Sequence, residues 1–288
     1  MIGASKLEKG CKDNYSVSMS IRILFLGEIV GRPGIHALKG GLKPLKESRE
    51  IDFVVANGEG ATNGYGLGKN HALQILKLGI DLLMTGEKTY YKKDMVEYIT
   101  KNPKIMRPAN YPLGNPGRGY RIFDIKEKKV AFINLLGNAD FPRTHLANPY
   151  HVANALIEKL KEETPLICLQ FHATTTAEKQ TMAYHIAGRT AAMIGTHTKV
   201  LTSDARILDG GTAIITDIGM CGSTESVGGF KSDIEIERFL TQVPSRAQES
   251  WGKIELQGVI VDIDDTGKAT TIELLRQPVD SPEEQNVS

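Results

Sequence analysis

Short apolar runs recur along this chain with amphipathic stretches between them, and the two patterns predict most of its elements. The runs are IRILFLG (21–27), IDFVVAN (51–57), DLLMTG (81–86), VAFINLLG (130–137), PLICLQF (165–171), AAMIG (191–195) and TAIITDIG (212–219). Their length and β-branched content suit strands buried on both faces, as parallel strands are. The stretches between them carry helix signals. Asn148-Pro149 opens HVANALIEKLKEE, with Val152, Leu156 and Leu160 along one face. Thr175 with Glu178, and Ser232 with Glu235, have capping-box spacing, and Leu73, Ile75, Leu76 and Leu78 run out at Gly79, a C-terminal cap. Strands alternating with helices predict an α/β fold with much parallel pairing. The chain's end differs: KIELQGVIVDID and ATTIELLRQ flank Asp265-Thr266-Gly267-Lys268, as in an antiparallel hairpin.

Composition narrows the class. At 288 residues with 41% hydrophobic content, the chain can bury a full core, and it holds no apolar span of the ~20 residues that cross a bilayer. The first nineteen residues are polar and lack the apolar centre of a signal peptide. They read as a leader, either disordered or lying before a translation start at Met19. Residues 20–278 then form one domain, and 279–288 an acidic, loose tail. A net charge of +1 removes the electrostatic case for a nucleic-acid or membrane partner. Tyr90-Tyr91-Lys92-Lys93 is the one aromatic-basic cluster and reads as a solvated helix start. Cys11, Cys168 and Cys221 have no metal-type spacing and fit free thiols in a reducing cytoplasm. Assembly with further copies stays open.

The informative regularity lies just after each run. Glu28 succeeds IRILFLG, Glu59 succeeds VVAN-Gly, Glu87-Lys88 succeeds LLMTG, His172 succeeds LICLQF, and His197 and Lys199 come after AAMIGT. The C-terminal ends of parallel strands form one rim where sites assemble. Carboxylates and imidazoles gathered there suit Zn²⁺, Mn²⁺ or Fe. Singly, each acid has a plainer reading as a helix-start charge, and each histidine as a hydrogen-bonded core group. Their shared position at strand ends carries the site. Glycine-rich GEIVGRPG (27–34) and GYGLGKN (64–70) match neither familiar nucleotide loop, although backbone N–H groups there can hold a phosphate.

In order, GEIVG, NGEG, TGEKT, RPANYP, NPGRGY, FHATTTAEK, GTHTKV and ITDIGM resemble the YmdB-like branch of the calcineurin-like metallophosphoesterases, over nearly the whole chain from Ile21. The resemblance implies two packed sheets flanked by helices, two divalent metals at the strand ends, and hydrolysis of phosphodiesters, 2′,3′-cyclic nucleotides among them. This chain departs from the family's motifs at the chemistry. Glu28 stands for an aspartate, and Gly60 for an asparagine ligand beside Glu59. Glu87 stands for a metal-binding asparagine, Lys88 for the histidine that protonates the leaving group, and Lys199 for a metal-binding histidine. His172 and His197 are kept.

Sorted by metal position, these changes imply one dismantled site, keeping Glu28 and Glu59, and one complete site on Glu59, Glu87, His172 and His197. The expected cofactor is one Mn, Fe or Zn ion rather than two. The side chains alone sum to −1, and one divalent ion brings the pocket to +1, which attracts a phosphate. Lys199 would supply fixed positive charge to the phosphate, and Lys88 is a poor acid at neutral pH. Arg107, Asn110 and Arg118, in turn-like RPAN and NPGRG, are candidate phosphate contacts or parts of a rigid turn, and Asp217 a supporting residue. The substrate expected is a small phosphorylated molecule or nucleotide. The rival reading is a silent nucleotide- or partner-binding protein, in which lysines neutralise the acids without metal.

Overall fold

Each apolar run becomes a strand, in a computed structural model that describes residues 20–141 and 145–282. The leader reading of 1–19 and the last six residues of the tail lie outside them. The first half of the chain runs β1 (Ile21–Ile29), α1 (Gly31–Ser48), β2 (Phe53–Asn57), α2 (Lys69–Lys77), β3 (Leu82–Met84), α3 (Lys93–Lys101) and β4 (Ile105–Met106). Then come β5 (Tyr120–Ile125), β6 (Lys128–Leu136), α4 (Pro149–Lys161), β7 (Ile167–His172), α5 (Thr176–Ile186), β8 (Ala192–Thr196), β9 (Arg206–Leu208) and β10 (Thr212–Ile215). Last are β11 (Met220–Ser223), α6 (Ser232–Thr241), β12 (Ile254–Ile263) and β13 (Ala269–Val279).

The strands form two sheets, ordered β13-β12-β11-β1-β2-β3-β4 and β5-β6-β7-β8-β10-β9. In the first, β11, β1, β2, β3 and β4 are parallel, and in the second β6, β7, β8 and β10 are. Alternate residues of β1 sort the layers. Ile21, Ile23 and Phe25 meet Phe53, Phe132 and Ile194 between the sheets, while Leu24 and Leu26 face α1, α2 and α3. Phe53 stacks on Phe132 with ring centroids 5.3 Å apart. The outer face of the second sheet packs on α4 and α5 through Ile133, Leu169, Ile157 and Met182. Helix, sheet, sheet, helix is therefore the layer order. No helix among the described residues is long and apolar enough to cross a membrane.

Local signals held unevenly. Asn148 caps α4 by accepting from Tyr150 N, Thr175 caps α5 by accepting from Glu178 N, and Gly79 follows α2 at φ 110°. Two details need correction. The stripe that α4 buries is Ala153, Ile157 and Leu160, at i, i+4 and i+7, with Val152 and Leu156 at its margin. Ser232 does not cap α6; the capping position is Lys231, which has no side-chain oxygen to offer, and Glu235 instead pairs with Arg238 at 2.8 Å. The hairpin forms as read, with β13 extending to Val279.

Candidate metal centre at the strand ends

Both sheets point the C-terminal ends of their parallel strands at one pocket, so residues far apart in sequence meet there. The first sheet supplies Glu28 from β1, Glu59 after β2, and Glu87 with Lys88 after β3. The second supplies His172 at the end of β7, and His197 and Lys199 after β8. Glu28, Glu59 and His172 are each at most 1% exposed.

Three donor atoms converge. His172 Nε2 lies 2.8 Å from Glu87 Oε2 and 3.1 Å from His197 Nδ1, and His197 Nδ1 lies 3.8 Å from Glu87 Oε2. Among the described residues this trio is the group of acid, imidazole and thiol donors close enough to share a metal ion. Such separations suit ligands of one small cation with bonds of roughly 2.0–2.2 Å. The donors, two imidazoles and a carboxylate, fit Zn²⁺, Fe or Mn²⁺. The rings are held from behind. Thr196 Oγ1 sits 2.9 Å from His172 Nδ1, and Asn57 Nδ2 sits 3.2 Å from it. A hydroxyl both donates and accepts, so Thr196 serves either tautomer of His172 and lets Nε2 present a lone pair. Phe141 stacks over His172 and meets His197 edge-on, with centroids 6.2 and 5.3 Å away.

Backbone shape follows from these contacts. A Cβ at Gly86 would fall 2.4 Å from His172 Cδ2, so only glycine lets the Gly86-Glu87-Lys88 turn pass over the ring. His197 and Lys199 hold φ of 112° and 62°, a left-handed region costly for side chains of their size. Asp217 pins that turn. Its Oδ2 accepts from Thr198 N at 2.8 Å and from Lys179 Nζ at 2.9 Å, and its Oδ1 accepts from Gly219 N at 3.0 Å. Lys179, on α5, is 1% exposed and was invisible in the sequence, where a lysine on a helix reads as surface. The apolar neighbours Met182, Ala183 and Ile186 were the available signal.

The other acids lie outside the trio. Glu59 Oε2 accepts from Gly86 N at 2.6 Å and Oε1 from Lys88 N, so this carboxylate clamps the turn that carries Glu87. Glu28 Oε1 lies 3.4 Å from Lys199 Nζ and has no hydrogen-bond partner among the described residues. Lys88 Nζ lies 3.3 Å from Glu87 Oε1. Arg107 Nη1 donates to Pro108 O at 2.7 Å, and its backbone N donates to Arg118 O at 3.0 Å. Asn110 donates to Leu136 O at 2.8 Å and Ala147 O at 3.2 Å, and accepts from Leu136 N. Their polar groups thus hold the loop, whereas Arg118 is exposed.

Crowded charge tunes the groups. Burial and the neighbouring Glu87 push Glu59 up to about 7, against the opposing pull of His172, Lys88 and the Gly86 N–H. Burial opposes ionising Glu87, but His172, Lys88 and His197 outweigh it and hold its carboxyl well below the usual range. Burial likewise disfavours a charged His172, yet Glu87, Glu59 and Glu28 raise it. Burial and His172 drive His197 down to about 3, leaving that ring neutral and free to ligate. Desolvation works against Lys88, but the Glu87, Glu28 and Glu59 carboxylates raise it, so it is held protonated.

Two facing sheets with a carboxylate and imidazole pocket at the strand ends define a metallophosphoesterase-type fold. The same architecture appears in a putative 5′-nucleotidase from Staphylococcus aureus, at a TM-score of 0.58 and 13% identity over 93% of this chain and 57% of that one. The family model described as YmdB-like protein matches residues 24–275, and the chain belongs to that family. It is 40% identical to a 2′,3′-cyclic-nucleotide 2′-phosphodiesterase of Bacillus subtilis, over 88% of this chain and 96% of that protein. A solved phosphatase from Mycoplasma pneumoniae superposes with a TM-score of 0.85 at 30% identity, covering 93% of this chain and 97% of that one.

Proposed function

We propose that this chain is a metal-dependent phosphodiesterase acting on small nucleotide phosphodiesters of the cyclic type, with one ion rather than two. The meeting of Glu87 Oε2, His172 Nε2 and His197 Nδ1 carries this reading, together with the similarity to the B. subtilis phosphodiesterase. Glu87, His172 and His197 would hold the ion, with Glu59 fixing the turn beneath it. When bound, the ion lowers the pKa of a water and polarises the phosphoryl group. Lys199, tethered to Glu28, sets a permanent positive charge beside the phosphate. Lys88, kept charged by three acids, stabilises developing oxygen charge and does not serve as the proton donor. Phe141 keeps water from the back of both rings. Exposed Arg118 is the loop residue left to meet a substrate phosphate.

The test is metal content by elemental analysis paired with hydrolysis of 2′,3′-cyclic AMP and bis-p-nitrophenyl phosphate, with and without Mn²⁺. One equivalent of metal and metal-dependent turnover is expected. A fully loaded protein that turns over neither substrate overturns the reading. One observation favours a second, the silent nucleotide binder: Lys199 faces Glu28 and Lys88 faces Glu87, so the acids are partly neutralised by the chain itself. On that reading the purified protein holds no metal and still binds the cyclic nucleotide.

A further inference from the structure

Beside the metal centre lies a cavity of about 980 Å³, the size of sites that take a drug-sized ligand. Arg32, Lys92, Lys231 and Arg246 line it, with two aromatic residues, Tyr65 and Trp251. Glu249 is the acid on its wall, and Arg32 occupies it: Oε1 accepts from Arg32 N at 3.0 Å and Oε2 from Arg32 Nε at 2.8 Å. Among the described residues Lys92, Lys231 and Arg246 pair with no carboxylate, so their positive charges are left uncompensated around one hollow. Gathered like charges repel one another, and an anion bound among them relieves that repulsion.

The 60–68 loop is the wall between this cavity and the metal centre. Its Thr62, Asn63 and Tyr65 line the cavity. Two of its glycines back onto the other side, where a Cβ at Gly60 would lie 2.5 Å from Glu28 Oε1 and one at Gly66 2.8 Å from Lys88 O. Lys88 and Lys92, on the turn entering α3, divide the same way, one in each chamber. Tyr65 is 53% exposed, and its ring and that of Trp251 offer stacking surface next to the cations.

We infer that this cavity is a second nucleotide subsite, taking an aromatic base that carries two or more phosphate groups. A single phosphate carries fewer charges than the uncompensated cations present. Two sources share the chemistry: a free nucleoside polyphosphate, or the next nucleotide of an oligonucleotide whose scissile bond lies at the metal centre. The second source rests on the phosphodiesterase reading; the first does not.

Trp251 is the chain's single tryptophan and stands on the wall of this cavity, so its fluorescence is a probe placed at the subsite. The full-length, metal-loaded protein is titrated with ADP, with a phosphorothioate-linked diadenylate that resists cleavage and bears a terminal diphosphate, with adenosine and with pyrophosphate. Saturable change with ADP or the dinucleotide, at affinity at least about tenfold above adenosine or pyrophosphate alone, supports the subsite. Tighter binding of ADP marks the free nucleotide as ligand, and tighter binding of the dinucleotide marks an extended substrate. Lys231→Glu combined with Arg246→Glu, both exposed, should weaken binding about tenfold or more, and added salt should weaken it too. His197→Ala, whose side chain lies outside the cavity, should leave the ADP signal intact, which separates this inference from the fate of the hydrolase reading. No saturable response to any nucleotide, an undiminished response in the charge-reversed protein, or loss of the ADP response in His197→Ala overturns it.

Discussion

The carboxylate of Glu28 occupies the space that any side chain at residue 60 would need: a Cβ built on Gly60 would lie 2.5 Å from Glu28 Oε1. In the sequence these are two separate departures from the family motif. In the fold they are one exchange, in which a longer acid fills the volume a larger neighbour has vacated. Gly60→Ala should therefore destabilise the protein by about 1–3 kcal/mol, the usual cost of overpacking. Shortening the acid should relieve most of that, so Glu28→Asp with Gly60→Ala should be more stable than Gly60→Ala alone. Chemical denaturation of the four proteins in the cycle measures the coupling, and additive effects would show that the two positions are independent.

The same contact bears on Lys199. If Glu28 has closed the first metal position, Lys199→His alone should leave metal content at one equivalent, whereas the triple change Glu28→Asp, Gly60→Asn, Lys199→His should raise it toward two. Elemental analysis of the dialysed proteins reads the result. A second equivalent in the single variant would mean that the ammonium alone had kept the ion out.

Support behind His172 is a separate question from ligation itself. Thr196 Oγ1 lies 2.9 Å from Nδ1, the ring nitrogen turned away from the trio. Groups in that position orient the imidazole, and their loss typically lowers metal affinity 10–100-fold, roughly. Thr196→Val keeps the shape and removes the hydrogen bond; Thr196→Ser restores it. Competition with a metal chelator should show weaker retention in the valine variant and recovery in the serine one. A merely steric role would predict the reverse order.

What could be read from the chain and what could not divide along physical lines. The strands were legible because runs such as IRILFLG are too short and too uniformly apolar for surface helices. β4, β5, β9 and β11 were not: three are two to four residues long and set by pairing, and β5 is a partly exposed edge strand without an apolar run. The trio was legible as a set, since Glu87, His172 and His197 all lie at or just past the ends of strands that share one rim. Which acid faces the imidazoles was not, because Glu59 is turned by backbone N–H groups of Gly86 and Lys88 that no spacing rule reveals. Lys179 was hidden by its residue type.

Lys179 and Asp217, each at most 1% exposed, form an ion pair that anchors the Thr198 backbone between His197 and Lys199. Removing one partner of a buried pair leaves an unpaired charge and typically costs 3–5 kcal/mol, roughly. Lys179→Met should reach that range and lower activity as well, by freeing the strained turn. Lys179→Met with Asp217→Asn removes the stranded charge, so it should regain much of the stability while activity stays low. Thermal melts alongside hydrolysis assays separate the two effects, and equal melting temperatures for the single and double variants would refute the buried-charge account.

Farther out, Arg22 and Asp262 tie β1, the strand that carries Glu28, to β12. Nε and Nη2 donate to the two carboxylate oxygens at 2.7 and 3.0 Å. The Arg22 hydrogen bond outweighs burial and, with help from Thr271, holds the Asp262 carboxyl below its ordinary 3.8. A depressed native pKa means that the unfolded state binds the proton more readily. The contribution of Asp262 is thus fully present above the unfolded value near 4 and is lost as pH falls through the native one. Arg22 is 37% exposed along its side chain, so water screens the pair and the contribution is about 1 kcal/mol. Asp262→Asn should be less stable than the parent by about that amount at pH 7, with the difference shrinking below pH 4 as acid removes the parent's advantage. Urea denaturation of both proteins across that range decides it, since a gap that stays constant down to the lowest pH would assign the cost of the substitution to packing.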